Sequence, residues 1–191
     1  HRPQWGPACP LRLYVGHAPD RHSRAAGEVN VNNLIIRCRT DKNCLEILYN
    51  LFKKGVFAIA LSIVNDYQLA EDCVAETFIR LTQVKRFSEK SGDGKGFIYK
   101  IARNVALEQY RKFQKSSVNM VIQSYGEADD KIDDCIFINQ LMKHLNEKQK
   151  QVVIMHCYNE LTFKEIAKII KSPETTVKSR YKKALQILKK K

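Results

Sequence analysis

The sequence predicts an all-α protein: two small helical domains joined by an acidic flexible linker, the C-terminal one a helix-turn-helix. Three observations predict it. Apolar residues recur at spacings of three and four in several stretches beyond Asp41. Capping residues and one proline punctuate those stretches where helices should start and stop. Charge divides the chain: residues 41–115 hold 13 basic and nine acidic side chains, 116–134 hold one and five, and 135–191 hold 13 and four. The middle segment, with Ser116, Ser117 and Gly126, reads as a linker between two basic domains.

A chain of 191 residues suffices for one ordinary domain or two small ones. The excess of 33 basic over 20 acidic residues, a formal charge of +13, favours a polyanionic partner such as nucleic acid or an anionic membrane surface. Membrane insertion is not expected. The longest apolar-rich stretch, Val56 to Val64, is far shorter than the roughly 20 residues needed to cross a bilayer, and Arg, Pro and His interrupt the apolar residues at the start, so no secretory signal is visible. The six cysteines (Cys9, Cys38, Cys44, Cys73, Cys135 and Cys157) include no CxxC pair, and their spacings suit neither a zinc site nor a disulfide framework. They read as reduced thiols of a cytoplasmic protein, mostly small apolar core residues. His156 beside Cys157 is not a metal site on this reading, because adjacent helical residues point about 100° apart and no second ligand pair is suitably spaced. No cofactor is expected.

The elements follow in order. The first 40 residues hold four of the five prolines, the single tryptophan, six arginines and no lysine, whereas residues 41–191 carry 22 lysines and five arginines. Residues 1–40 are therefore expected to be a disordered extension or a segment foreign to the protein, the first 30 above all. From Asp41, a helix is predicted by the stripe Leu45, Leu48, Phe52, Val56, Ile59, Ala60 and Ile63, with Gly55 its weak point. Asn65 and Asp66 supply a stop and a new N-cap, and Leu69, Cys73, Phe78 and Leu81 mark a second helix. The polar, glycine-rich stretch 88–95 is a loop, after which Phe97, Ile98, Ile101, Val105 and Tyr110 mark a third long helix, closing a domain over 41–115.

Beyond the linker at 116–134, the domain over 135–191 carries the clearest local signals. Leu161-Thr162-Phe163-Lys164-Glu165-Ile166 is a capping box, with Leu161 able to staple onto Ile166. That helix should end near Ile170, and Ser172 as N-cap with Pro173 at the first position should open the next, forming a helix-turn-helix. The last helix buries Val177, Tyr181, Ala184, Leu185 and Leu188, and its opposite face gathers Thr175, Lys178, Ser179, Lys182, Lys183 and Gln186. Those side-chain types suit a major groove, since lysine reaches phosphates or guanine acceptors and Ser or Thr bonds either. A solvated basic face on a plain helical bundle is the bland alternative.

Both halves then resemble one family. Residues 65–78, Asn65-Asp66-Tyr67-Gln68-Leu69-Ala70-Glu71-Asp72-Cys73-Val74-Ala75-Glu76-Thr77-Phe78, resemble the polymerase-binding helix of sigma-70-type factors, especially the extracytoplasmic-function (ECF) group. Residues 97–106, Phe97 to Ala106, are similar to the helix with which that group meets the melted minus-10 element, and Leu161 to Leu188 looks like its minus-35-reading module. The resemblance covers residues 41–191 in the family order. It implies a sigma factor that binds core RNA polymerase through the β′ clamp helices and the β flap, reads promoter DNA, and has an anti-sigma factor as a further candidate partner.

Residue by residue, the resemblance places Asp72, Val74, Ala75 and Glu76 at core polymerase, and i, i+4 spacing puts the two carboxylates on one helix face. It places Phe87 and the loop to Lys95 around a flipped non-template base, with Tyr99, Lys100, Arg103 and Asn104 along that strand. Thr175, Lys178, Ser179, Lys182 and Lys183 fall on the minus-35 element. Ala75 stands where the family usually has Gln, and Phe97 where it usually has Trp, a loss of one polar contact and of some ring area. Two rival readings are a standalone helix-turn-helix regulator, which leaves residues 41–115 without a purpose, and a small metal-dependent nuclease using Glu71, Asp72 and Glu76, which lacks a histidine partner nearby.

Overall fold

The computed structural model describes residues 30–85, 87, 93–116 and 142–190. The extension expected at 1–29, most of the polar loop, the linker beyond Ser116, Cys9 and Cys135 lie outside them. Every described element is helical, and these elements fall into two compact units, one on each side of the linker.

Among the described residues the N-terminal unit has four helices: α1 (Val31–Arg37), α2 (Lys42–Val64), α3 (Tyr67–Thr82) and α4 (Gly94–Ser116). The first corrects the expectation of disorder through residue 40. Asn30 caps α1 by accepting the Asn33 N–H at 3.1 Å, and Ile35 and Cys38 are buried where α1 packs on α2 and α4. Burial of two apolar side chains at the end of a short helix outweighs the composition of the segment before it.

Asp41 caps α2 by accepting the Asn43 N–H at 2.9 Å. The first half of α2 is amphipathic, but from Gly55 to Val64 every residue is buried, so α3 and α4 enclose its second half. Gly55 does not interrupt the helix. By length and composition α2 could span a bilayer, which the stretch Val56 to Val64 taken alone did not suggest. Its most apolar stretch is 67% buried, the signature of a helix inside a protein core.

Asn65 ends α2 in the left-handed conformation (φ 52°), and Asp66 caps α3 by accepting the Leu69 N–H at 2.8 Å, the stop and restart expected from those two residues. Ala70, Cys73, Val74, Thr77, Phe78 and Leu81 form the inner face of α3. The inner face of α4 is Ile98, Tyr99, Ala102, Val105 and Ala106. Helix α4 starts at Gly94, so Lys95 belongs to its first turn and not to the loop.

The described part of the C-terminal unit comprises a 3-10 turn (Met142–His144), α5 (Glu147–Val153), α6 (Phe163–Ile170) and α7 (Glu174–Leu188). Asn146 and Gln149 form a capping box at α5. The helix then widens into a π-helical turn, Ile154–Tyr158. Its core is Met142, Val152, Val153, Met155, Leu161, Ile166, Ile169, Val177 and Ala184.

The capping box at α6 forms as expected: Thr162 Oγ1 accepts the Glu165 N–H at 3.3 Å and Glu165 Oε2 accepts the Thr162 N–H at 2.6 Å, with Leu161 and Ile166 both buried. The start of α7 differs by one residue from expectation. Lys171 ends α6 with φ 52°, and the Ser172 N–H donates to Ala167 O at 3.1 Å, so Ser172 belongs to the helix stop. Pro173, extended at ψ 144°, is the N-cap, and its carbonyl accepts the Val177 N–H at 3.2 Å. Cys38, Cys44, Cys73 and Cys157 are buried free thiols. Burial first, and then the charges of Asp72 and Glu76, push Cys73 up to about 11.

Candidate nucleic-acid interface

Helix α7 follows α6 through a turn of three residues, 171–173, so the pair has helix-turn-helix connectivity. Val177 and Ala184 hold α7 in the core, while Thr175, Lys178, Ser179, Lys182, Lys183 and Gln186 are all exposed. At 100° per residue these lie within one face about 140° wide. All five residues expected at the minus-35 element are thus brought together. Lys178 Nζ lies 2.7 Å from Glu174 Oε1 across one helical turn. Both side chains are well exposed, and such a surface pair contributes little, so a phosphate can displace the carboxylate. Lys164 and Lys168, one turn apart, are also exposed on α6; sequence reasoning did not single them out.

An aromatic wedge sets the angle of α7. His156 stacks on Phe163 (centroids 4.3 Å apart) and meets the Tyr181 ring edge-on at 4.9 Å, while His156 Nδ1 lies 2.8 Å from Leu161 O. One side chain from the π-helical turn therefore touches α6 and α7 together. Cys157 beside it is buried, with Sγ 3.5 Å from Tyr181 Oη, so both neighbours meet Tyr181 and His156 is not the surface residue that helical spacing suggested.

On α4, Lys100 and Asn104 are exposed and Arg103 is half-exposed. Their i, i+3, i+4 spacing puts all three on one stripe. Tyr99 is not part of it. The ring is only 4% exposed and packs edge-on against Phe52 with centroids 5.8 Å apart, because position 99 falls on the same side as Ala102 and Ala106. That assignment is corrected to a core role. Lys95 is half-buried in the first turn and about 140° around the helix from Lys100, so it does not share the stripe. Phe87 packs on Phe97 at 4.9 Å between ring centroids, tilted by 51°, an aromatic pair half-exposed beside the start of α4.

On α3, Asp72 and Ala75 are exposed and Glu76 is half-exposed. Val74 is 8% exposed and points into the unit, so its assignment to a binding face is also corrected. Ile79, 52% exposed, completes the face at i+7 from Asp72 and was missed, since a single apolar residue on a polar face has no periodic signal. Glu76 is not a loose carboxylate. Arg80 Nε donates to Glu76 Oε1 at 2.7 Å, and the other end of the guanidinium donates to Glu108 Oε2 of α4 at 2.7 Å.

The Arg80 hydrogen bond holds the Glu108 carboxyl below its ordinary value, and the two carboxylates raise Arg80 in turn. A carboxyl lowered in the folded state contributes stability above the ordinary glutamate range and loses it as pH falls through the lowered value. Glu108 is 45% exposed, so solvent screens the effect. Thermal unfolding of the wild type and of Glu108→Gln should accordingly converge as pH falls toward 3 and separate modestly near neutrality; a constant difference at every pH would show that the bridge contributes only by packing.

Residues 48–116 match the family described as Sigma-70 region 2, and residues 141–190 match Sigma-70, region 4. Together the matches span more than half of the chain. The chain is 25% identical over 152 residues to the ECF RNA polymerase sigma factor SigM of Bacillus subtilis, covering 76% of this chain and 93% of SigM. It is 23% identical over 158 residues to SigX of the same organism, covering 76% and 81%. Among solved structures, the sigma factor RpoE of Bartonella quintana, in complex with the anti-sigma factor NepR, matches with a TM-score of 0.56 at 24% identity, over 76% of this chain and 97% of that one. At that identity the last match is a likeness of fold.

Proposed function

The chain belongs to the sigma-70 family of RNA polymerase sigma factors, in its ECF group, and from that premise we propose how its faces divide the work. It is an initiation factor and not an enzyme. It directs transcription initiation through regions 2 and 4. In this reading α3 presents Asp72, Ala75, Glu76 and Ile79 to the polymerase β′ clamp helices. Helix α4 lays Lys100, Arg103 and Asn104 along the non-template strand of the minus-10 element. The Phe87 and Phe97 rings offer a stacking platform for an unpaired base, sequence-tolerant because every base has a π face. Helix α7 enters the major groove of the minus-35 element, and its unit also meets the β flap. The domain limits 41–115 and 135–191, with an acidic linker at 116–134, belong to this proposal, as does action in the cytoplasm, where polymerase and promoter meet.

The observation that carries it is one chain holding two helical units, each with an exposed face of the chemistry its matched sigma region requires. A standalone regulator would leave the carboxylate face of α3 unused. An anti-sigma factor is a further candidate partner, since Ile47, Leu51 and Ile79 are exposed apolar side chains on the unit that would grip polymerase. The test is run-off transcription with core polymerase and a promoter library. Specific transcripts appearing only when this chain is added are the expected result; sequence-specific DNA binding without any polymerase-dependent initiation would sink the assignment of α3.

A further inference from the structure

We propose that Asn32, on a helix preceding the matched region 2 segment, is a positioning residue for promoter opening, through the first turn of α4. The inference rests on the reading above in which α4 meets the melted strand. Asn32 Oδ1 accepts the Gly94 N–H at 2.8 Å across 62 residues of sequence. That amide is one of the four donors at the start of α4 that the helix itself cannot satisfy. A side-chain acceptor from a different helix therefore completes the cap and fixes where α4 begins.

The approach is close, and a side chain at position 94 would force its neighbours to shift. A Cβ on Gly94 would stand 2.5 Å from Asn32 Oδ1, 2.9 Å from Ile35 Cδ1 and 3.2 Å from Val31 Cγ1. Three side chains of α1 thus occupy the notch that glycine leaves, and the burial of Ile35 keeps α1 seated there. One turn on, the Phe97 N–H donates to Asp93 O at 3.0 Å, and the Phe97 ring lies against Phe87. The position of the aromatic platform follows from the position of that first turn. Without the Asn32 acceptor the turn would fray, and Phe97 would lose its fixed orientation before the stripe of Lys100, Arg103 and Asn104 was disturbed.

The experiment uses the full chain bound to core polymerase, with two DNA probes: a fork whose non-template minus-10 segment is single-stranded, and a duplex carrying only the minus-35 element. Asn32→Ala should weaken fork binding about five- to tenfold, the scale of a lost helix cap, with duplex binding and polymerase affinity unchanged. Hydrogen exchange at the Gly94 amide should accelerate in Asn32→Ala and return to the wild-type rate in Asn32→Asp, which keeps the acceptor. Unchanged fork binding by Asn32→Ala, an equal loss on both probes, or no recovery of amide protection in Asn32→Asp would overturn the proposal. If the wild type gained nothing from the single-stranded segment, the reading of α4 would fall and the inference with it. If the wild type and Asn32→Ala gained equally, only the positioning role would fall.

Discussion

An Asp72→Ala, Glu76→Ala double variant is expected to lose core polymerase binding by roughly 30-fold to several thousandfold, about 2 to 5 kcal/mol, while still folding. The size is that measured for charge pairs buried at an interface, which the proposed contact with polymerase would be. Folding should survive because Asp72 is exposed and neither side chain supports the inner face of α3. The arm of Arg80 that reaches Glu108 also remains when Glu76 is removed. The two single variants should differ. Glu76 already accepts a hydrogen bond from Arg80 and must share or surrender it on binding, so Asp72→Ala should cost more than Glu76→Ala. Titration of labelled core polymerase with each variant, beside thermal unfolding, measures both effects. Wild-type affinity in the double variant would remove these residues from the interface.

The second large effect is expected on α7. Alanine at Lys178, Ser179, Lys182 and Lys183 should separate two kinds of contact. Loss of a lysine that reads guanine should cost about 1 to 3 kcal/mol and relax preference at one base pair. Loss of a phosphate lysine should weaken all sequences alike and lower the salt slope by about one. Lys178 and Ser179 lie near the helix start, where side chains meet base edges, so sequence preference should relax there first. Glu174 adds a check particular to this protein: Glu174→Gln removes the partner of Lys178 and should tighten binding at low salt. Affinities are measured on preferred and single-mismatch upstream elements at several salt concentrations. If all four alanine variants keep wild-type affinity and preference, α7 is not the reading helix.

What could be read without the structure was the part determined locally. Asp66, Thr162 and Glu165 bond to amides within three residues of themselves, so their roles are written in adjacent positions. The exposed face of α7 was legible for the same reason, since Val177 and Ala184 fix its rotation and the rest follows from helical spacing. Helix α1 was not legible: its cap and two buried residues are a weak signal beside a proline-rich segment, and the Gly94 amide that bonds to it is 62 residues away. Tyr99 was misplaced because an aromatic ring with a polar tip suits a core or a strand of DNA equally well, and only the packing against Phe52 decides. The π-helical turn at Ile154–Tyr158 leaves no mark in an apolar pattern, because Val152, Val153, Ile154 and Met155 are all buried in succession and form no stripe that an extra residue could displace.

Arg80 couples α3 to α4. One guanidinium meets a carboxylate from each helix, so on the proposed reading the face for polymerase and the helix for DNA share one side chain. A chimera that imported α3 alone from a relative would bring its own residue at position 80 to meet an unchanged Glu108. On the proposed reading, a change at position 80 therefore reaches the polymerase-facing helix and the DNA-facing helix at once, whereas a change at one α7 lysine stays within that helix.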